Sequence, residues 1–284
     1  MELLSLREMI ARHVKPGQML AMEGFTHLIP FAAGHEIIRQ GIGELHLVRM
    51  TPDLVYDQLI GMGLVKELTF SWGGNPGVGS LHRLRDAIEQ SWPRPLAWHE
   101  HSHAGMAAAY TAGAAKLPFG VLRGYIGTDL PQHNTQISQV ECPYTGERLA
   151  TVRAVNPDVT ILHAQQLDAR GNVLIRGILG ATREAALAAR AVLITVEEQV
   201  ERLDAPMNST VLPHWVVTAA AVVKGGAWPS YAQGYYPRDN AFYQQWDEIA
   251  RERDGFRAWV EHYVLGTADH RAFLQRIGEG RAAS

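Results

Sequence analysis

Four stretches of the sequence bring together groups that could do chemistry. The first is the loop Gly73-Gly74-Asn75-Pro76-Gly77-Val78-Gly79-Ser80, which follows a β-rich run and opens a helical one. Glycines let a backbone approach a ligand closely, and a helix start offers unpaired N–H groups to an anion or a carbonyl oxygen. The loop lacks the Lys-Ser/Thr pair of a P-loop and the GxGxxG spacing of a dinucleotide site. Taken alone it reads equally as a strand-to-helix turn that needs a positive φ. The second stretch, Glu23-Gly24-Phe25-Thr26-His27, is another glycine turn at a strand end, and two such turns early in one sheet could share a crevice. The third, His99-Glu100-His101-Ser102-His103, would put three imidazoles on one face if the strand ran through it. Ligands spaced i, i+2 rarely close a tetrahedral site without help from elsewhere, and the paired cysteines of a zinc deaminase are missing. No metal is therefore expected, and Glu100 remains a candidate general acid or base at a strand end. The fourth, His163-Ala164-Gln165-Gln166, ends an apolar run. Its two glutamines could cap backbone groups or hold an amide or carboxylate ligand. No Gly-x-Ser-x-Gly elbow occurs, and Cys142 has no recognisable partner set.

The elements that must position these groups alternate along the chain. Helical periodicity covers Leu4 to His13, Phe31 to Arg39, Val55 to Met62, the face Leu81, Leu84, Arg85 and Ile88, the small-residue run Gly105 to Ala115, and Thr182 to Arg190. Between them, Met19 to Phe25, Leu45 to Met50, Leu68 to Trp72, Val159 to Ala164, Val192 to Val196 and Val216 to Val223 read as strands, with a hairpin around Arg170-Gly171-Asn172. Apolar strands without clear alternation, separated by helices, predict a mainly parallel sheet covered on both faces, a three-layer α/β/α sandwich. From Asn240 to Ile277 the chain becomes helical, charged and rich in Trp and Tyr. The expectation is one domain over 1–284, with 240–278 a helical extension packed on it. Trp228, Tyr231, Tyr235, Tyr236, Tyr243 and Trp246 serve either internal packing or a protein interface.

Composition narrows the partners. With 26 Lys+Arg against 29 Asp+Glu the formal charge is -3, which gives no reason to expect nucleic acid or an anionic membrane. A single cysteine cannot form an internal disulfide or a cysteine-based zinc site. The longest strongly apolar stretch, around Trp215 to Val223, is about half of the roughly 20 residues that span a bilayer. A cytoplasmic protein is the default expectation.

In order and spacing the segments resemble the α (A) subunit of family I CoA-transferases, most closely the glutaconate CoA-transferase type. Val14-Lys15-Pro16-Gly17 through Glu23-Gly24-Phe25-Thr26 is similar to the family opening, and Gly41-Ile42 through Leu45 to its "RQGI-x-x-L" connection. Asn75-Pro76-Gly77-Val78 stands at an Asn-Ser-Gly-Val turn, Lys116-Leu117-Pro118-Phe119 at an "LPF" segment, and His163-Ala164-Gln165-Gln166 at an "HAQQ" strand end. Gly226-Ala227-Trp228-Pro229-Ser230 through Asp239-Asn240 follows the "GAHPS … DN" stretch, so the likeness runs to about Gly278. Two departures fall at the presumed crevice. Glu23 replaces the first of two family glycines, with Phe25 to Pro30 one residue short, and Pro76 replaces the serine.

The resemblance implies the CoA-transferase (NagB/RpiA-like) fold and transfer of CoA between an acyl-CoA and a carboxylic acid through glutamyl anhydride and glutamyl-CoA intermediates. The nucleophilic glutamate would belong to a separate β subunit, in an α2β2 or larger assembly, so no catalytic residue is assigned to this chain. Coenzyme A would be a co-substrate, with no permanently bound cofactor. Gly24, Phe25, Asn75, Gly77, Val78 and Gln165 carry over as substrate-binding residues. A second reading is the α subunit of a related hydrolase that opens a cyclic ketone ring of a CoA thioester, with Glu100 as its acid or base. A third, of another class, is a non-catalytic acyl-CoA or sugar-phosphate sensor.

Overall fold

Ser5 opens the first helix with a reciprocal cap: its Oγ accepts from the Glu8 N–H at 3.2 Å, and the Glu8 carboxylate accepts from the Ser5 N–H at 3.2 Å. The computed structural model describes residues 1–282. The first half runs β1 (Glu2–Leu3), α1 (Leu6–His13), β2 (Met19–Met22), α2 (Phe31–Gln40), β3 (Leu45–Arg49), α3 (Leu54–Gly61), β4 (Val65–Phe70), α4 (His82–Gln90), β5 (Ala97–Glu100) and α5 (His103–Ala114). A small insertion follows, with β6 (Phe119–Leu122), α6 (Leu130–His133), β7 (Ile137–Glu141) and β8 (Arg148–Arg153). The second half has β9 (Val159–Asp168), β10 (Val173–Arg176), α7 (Thr182–Ala188), β11 (Ala191–Val200), β12 (Ser209–Leu212) and β13 (Ala219–Val222). Helices α8 (Asn240–Arg251), α9 (Arg253–Trp259), a π-helical turn (Val260–Leu265) and α10 (His270–Ala282) end the chain.

Eight strands pair in parallel in the order β1-β13-β11-β9-β2-β3-β4-β5, and β10 and β12 add an antiparallel arm beside β9. From β2 the chain winds outward through β3, β4 and β5. From β9 it winds the other way through β11 and β13, so the order reverses between β2 and β9. At such a reversal the connecting loops part at the carboxyl ends of the strands and leave a crevice.

Side-chain alternation explains the layers. Leu20, Met22, Leu45, Leu47, Val159, Ile161, Leu193, Ala219 and Ala221 face one core with α1 to α4 and the C-terminal helices. The intervening Val48, Leu162, Ala164, Val192, Ile194, Val196 and Ala220 face the other side, covered by α5, α7 and the loops around them. Both faces being dry, the strands show no polar alternation, which is the pattern that predicted a three-layer sandwich.

Three readings change. The insertion β6-β8-β7 is an antiparallel sheet that no apolar periodicity signalled, because its strands are short and half exposed, with Phe119 at 42% and Val121 at 48%. The run Val216 to Val223 contributes a strand only at Ala219–Val222. The histidines of 99–103 do not share a face: β5 stops at Glu100, Ser102 caps α5 by accepting from the Gly105 N–H, and His103 is that helix's first residue. The aromatic C-terminal stretch is largely internal. Trp246 meets Trp259 edge-on at 5.0 Å and Phe256 at 6.0 Å, and its indole donates to the buried Asp57 carboxylate at 3.2 Å. Tyr235 is an exception at 37% exposure.

Candidate functional site

Past β2 the chain must turn sharply to enter α2, and it does so at the cost of backbone strain. Thr26 and Leu28 lie at φ +64° and +52°, unusual for residues with a Cβ and worse for a β-branched one. The turn is tied from the C-terminal side. The Leu28 N–H donates to the Tyr231 carbonyl at 3.0 Å, His27 stacks on Tyr231 at 4.8 Å, and the Ile29 N–H donates to Ser230 Oγ. Gly24 is obligatory, since a Cβ there would lie 2.7 Å from the carbonyl oxygens of both His27 and Leu28.

The turn after β4 is tied in the same way. Asn75 and Gly79 exchange backbone hydrogen bonds at 2.9 and 3.1 Å, and Gly77 takes φ +80°. The Asn75 side chain is buried and donates from Nδ2 to the Tyr243 carbonyl at 2.7 Å, while Arg238 lies over the Tyr243 ring and donates to the Pro76 carbonyl at 2.6 Å. Helix α8 therefore holds the glycine loop.

Between these two turns and the end of β3 lies a pocket of about 370 Å³. Phe25 and Thr26 line it from the first turn, Arg49, Thr51 and Asp53 from the end of β3, Trp72, Pro76 and Gly77 from the second turn, and His103 from the start of α5. It sits at the carboxyl ends of β2, β3 and β4, beside the reversal in strand order.

A buried charge cluster forms the floor. Arg49 is 1% exposed; its Nη2 donates to the Gly24 carbonyl at 2.7 Å and its Nη1 to Asp53 Oδ1 at 3.3 Å. Its guanidinium also packs on the Tyr56 ring. Glu23 accepts from the Tyr110 hydroxyl at 2.8 Å and from the Met50 N–H at 3.1 Å. Burial pushes the Glu23 and Asp53 carboxyls up, against the pull of Arg49. Burial also works against the Arg49 charge, but Asp53 and Glu23 outweigh it and hold its pKa above the ordinary value.

The sequence-derived residues divide. Phe25 and Gly77 line the pocket, and Gly24 shapes it through its carbonyl. Asn75 points into the protein and serves as the anchor of its loop. Val78, next to Gly77, is 39% exposed and is not one of the residues that line the pocket. Gln165 is fully buried and bonds both ways with the Arg176 backbone, so it staples β9 to β10. Glu100 is exposed at the end of β5, where its carbonyl accepts from Asn134 Nδ2 at 2.7 Å. Arg49, Asp53 and Trp72 are not singled out by sequence reasoning, and His103 enters it only as one of three imidazoles weighed for a metal. The available signal was Arg49-Met50-Thr51-Pro52-Asp53, charges at the end of an otherwise apolar strand. Among the described residues, no group of three or more His, Cys, Asp and Glu is placed to hold a metal ion, and no helix is long and apolar enough to cross a membrane.

A family model described as Coenzyme A transferase matches residues 3–224. The chain is 61% identical over 280 residues, 99% of both chains, to the A-type subunit of 3-oxoadipate CoA-transferase from Pseudomonas knackmussii. The solved structure of glutaconate coenzyme A-transferase from Acidaminococcus fermentans superposes with a TM-score of 0.92 at 28% identity, covering 99% of this chain and 94% of that one. A more distant likeness, 28% identity over 60% of this chain and 62% of the other, is to the cholesterol ring-cleaving hydrolase IpdA subunit of Mycobacterium tuberculosis.

Proposed function

The chain belongs to the coenzyme A transferase family as an A-type subunit, and from that premise we propose that it is the α subunit of a transferase of the 3-oxoadipate type, working in the cytoplasm with a β subunit. The observation that carries this reading is that the likeness to a CoA-transferase subunit named for 3-oxoadipate spans nearly the full length of both chains, rather than resting on any one motif.

In the reaction, a β-subunit glutamate carboxylate attacks the acyl-CoA carbonyl, the C–S bond breaks, and an acyl-glutamyl anhydride and CoA thiolate form. The thiolate attacks the glutamyl carbonyl, releasing the first acid and leaving a glutamyl-CoA thioester. The acceptor carboxylate repeats the exchange in reverse, and the glutamate is regenerated. Each step replaces a difficult direct transfer by a covalent one and gives ping-pong kinetics. This chain supplies the acyl side of the crevice. Phe25, Trp72 and Pro76 give apolar walls that exclude water, and the turns at Gly24 and Gly77 bring backbone close to the thioester. Coenzyme A is co-substrate, and no resident cofactor is required.

The test is to co-express the chain with its β partner, then assay acyl-CoAs against free carboxylic acids, 3-oxoadipate included. Borohydride or hydroxylamine inactivation that requires acyl-CoA and maps to a β-subunit glutamate supports the transferase. Robust turnover by this chain alone would sink the two-subunit reading. CoA-ester turnover without a trapped adduct, abolished by Glu100→Gln, would instead favour the ring-opening hydrolase suggested by the more distant likeness.

A further inference from the structure

We infer that His27 is a positioning residue for the acid: its imidazole holds the strained turn after β2 in place and so fixes Phe25 and Thr26 as one wall of the pocket. The inference rests on the transferase reading, since it takes the pocket as the seat of the acyl chain. It deepens that reading by naming a residue outside the pocket that sets how well the acid is held.

Non-glycine residues at positive φ persist only where their surroundings over-determine them. Two such residues flank His27, Thr26 at φ +64° and Leu28 at +52°. The connection from Gly24 to α2 is one residue shorter than the resembled opening, so fewer dihedrals share the reversal. Leu28 is pinned by backbone, its N–H donating to the Tyr231 carbonyl at 3.0 Å and the next N–H, of Ile29, donating to Ser230 Oγ at 3.2 Å. Thr26 is exposed and has no such bond of its own among the described residues. Its angle is kept by whatever grips its neighbour.

The grip on that neighbour is close. His27 is 1% exposed, stacks on Tyr231 with ring centroids 4.8 Å apart, and donates from Nε2 to the Ile178 carbonyl at 2.8 Å. Burial lowers its pKa, so the ring is neutral with a single N–H, and Nδ1 has no partner. The one hydrogen bond of the ring therefore ties the turn to the loop between β10 and α7. That loop is fitted to both ends of the turn. A Cβ on Gly177 would lie 2.8 Å from His27 Nε2, and a Cβ on Gly180 would lie 2.7 Å from the Cβ of Phe25. Phe25 and Thr26 line the pocket directly. Without the imidazole bond, the loop and the turn part, Thr26 relaxes to negative φ, and Phe25 moves with the backbone it precedes. Phe25 gives an apolar wall and no reacting group, so the loss falls on KM more than on kcat.

The test uses the complex with its β subunit and 3-oxoadipate as acceptor. Glutamine and asparagine are matched amides that differ in reach: the Gln amide nitrogen comes to the place of the imidazole Nε2, the Asn nitrogen only to that of Nδ1. His27→Asn should raise KM for the acid at least about tenfold with kcat held within about threefold, and His27→Gln should stay within about threefold of wild type in both. A second measurement reads the strain itself. Thr26→Gly, at an exposed position, should raise the melting temperature of the wild-type complex by about 2–4 °C, because glycine takes φ +64° freely. It should give no gain beside His27→Asn, where the turn has already relaxed. Tyr231→Leu, which removes the stacking partner and keeps the backbone bonds, takes the place of His27→Asn if that variant does not assemble. A wild-type KM in His27→Asn, equal rises in the Asn and Gln variants, or the same melting gain from Thr26→Gly in both backgrounds overturns the assignment. Absence of CoA transfer to 3-oxoadipate by the wild-type complex overturns the transferase reading instead, and the melting comparison then still decides whether His27 holds the turn.

Discussion

Asn75 offers a direct test of how the pocket rim is held. Its side chain is 1% exposed, Nδ2 donates to the Tyr243 carbonyl at 2.7 Å across 168 residues of sequence, and Oδ1 has no partner. Asn75→Ala removes one buried hydrogen bond and a few atoms, a loss of about 1–3 kcal/mol. Asn75→Asp is nearly isosteric but turns the donor into an acceptor aimed at a carbonyl, with a buried charge left unpaired, a cost of about 3–5 kcal/mol. For a chain of this size about 1 kcal/mol moves the melting temperature by about 2–4 °C, so the two variants should fall by about 2–12 °C and about 6–20 °C. The Asp variant should recover on acidification. Its carboxyl is pushed up by burial, the protonated form again donates to Tyr243, and stability therefore rises as pH falls through the raised folded pKa. Because the loop carries Pro76 and Gly77 into the pocket, both variants should raise KM for the acid by about tenfold and change kcat less. Melting curves from pH 5 to 8 and steady-state kinetics on the complex check this. Equal stability of Asn75→Asp and wild type at pH 7 would refute the anchoring argument. So would a loss of kcat in Asn75→Ala with stability intact, since Asn75 would then act in the chemistry.

Asp57 gives a prediction in pH. Fully buried, it accepts from the Arg83 and Leu84 N–H groups at 2.9 Å and from Trp246, yet burial outweighs these bonds and raises its pKa from 3.8 to about 6. Below about pH 4 it is neutral folded or unfolded; above about pH 6 it is charged in both states, and the folded one bears a penalty of about 3 kcal/mol. Relative to Asp57→Asn, the wild type should lose stability as pH rises from 4 to 7, and denaturant titrations giving a pH-independent difference would contradict this. Gly24→Ala should cost more than an ordinary strand-end substitution, above about 3 kcal/mol, because its Cβ would meet two backbone oxygens that cannot swing aside. Native-like melting and a native KM in that variant would show that the first turn is not constrained as described.

Much of the architecture is legible in local residue patterns. Runs such as Ile161-Leu162 and Leu193-Ile194 lack alternation because both faces of the sheet are covered. The turn at Arg170-Gly171-Asn172 is readable because Asp168 Oδ1 accepts from the Arg170 and Asn172 N–H groups, a local bond that its own sequence supplies. The glycines at 24 and 77 are likewise local, one demanded by close carbonyls and the other by a left-handed φ. The insertion β6 to β8 escaped because short, half-exposed antiparallel strands carry little periodic signal.

The sequence by itself therefore determined the class of fold, the approximate elements, the two turns that border the pocket, and the resemblance that the comparisons bear out. The tertiary structure alone decided the reversal between β2 and β9, the anchoring of Asn75 by Tyr243, the separation of His99, His101 and His103, and the meeting of Glu23, Arg49 and Asp53 beneath the pocket. The physical reason is one of range. Backbone preference and apolar periodicity act over a few neighbouring residues and leave their mark on the local sequence. A buried charge or an unpaired polar atom is settled only by whichever group the fold brings against it, and that partner can lie anywhere in the chain.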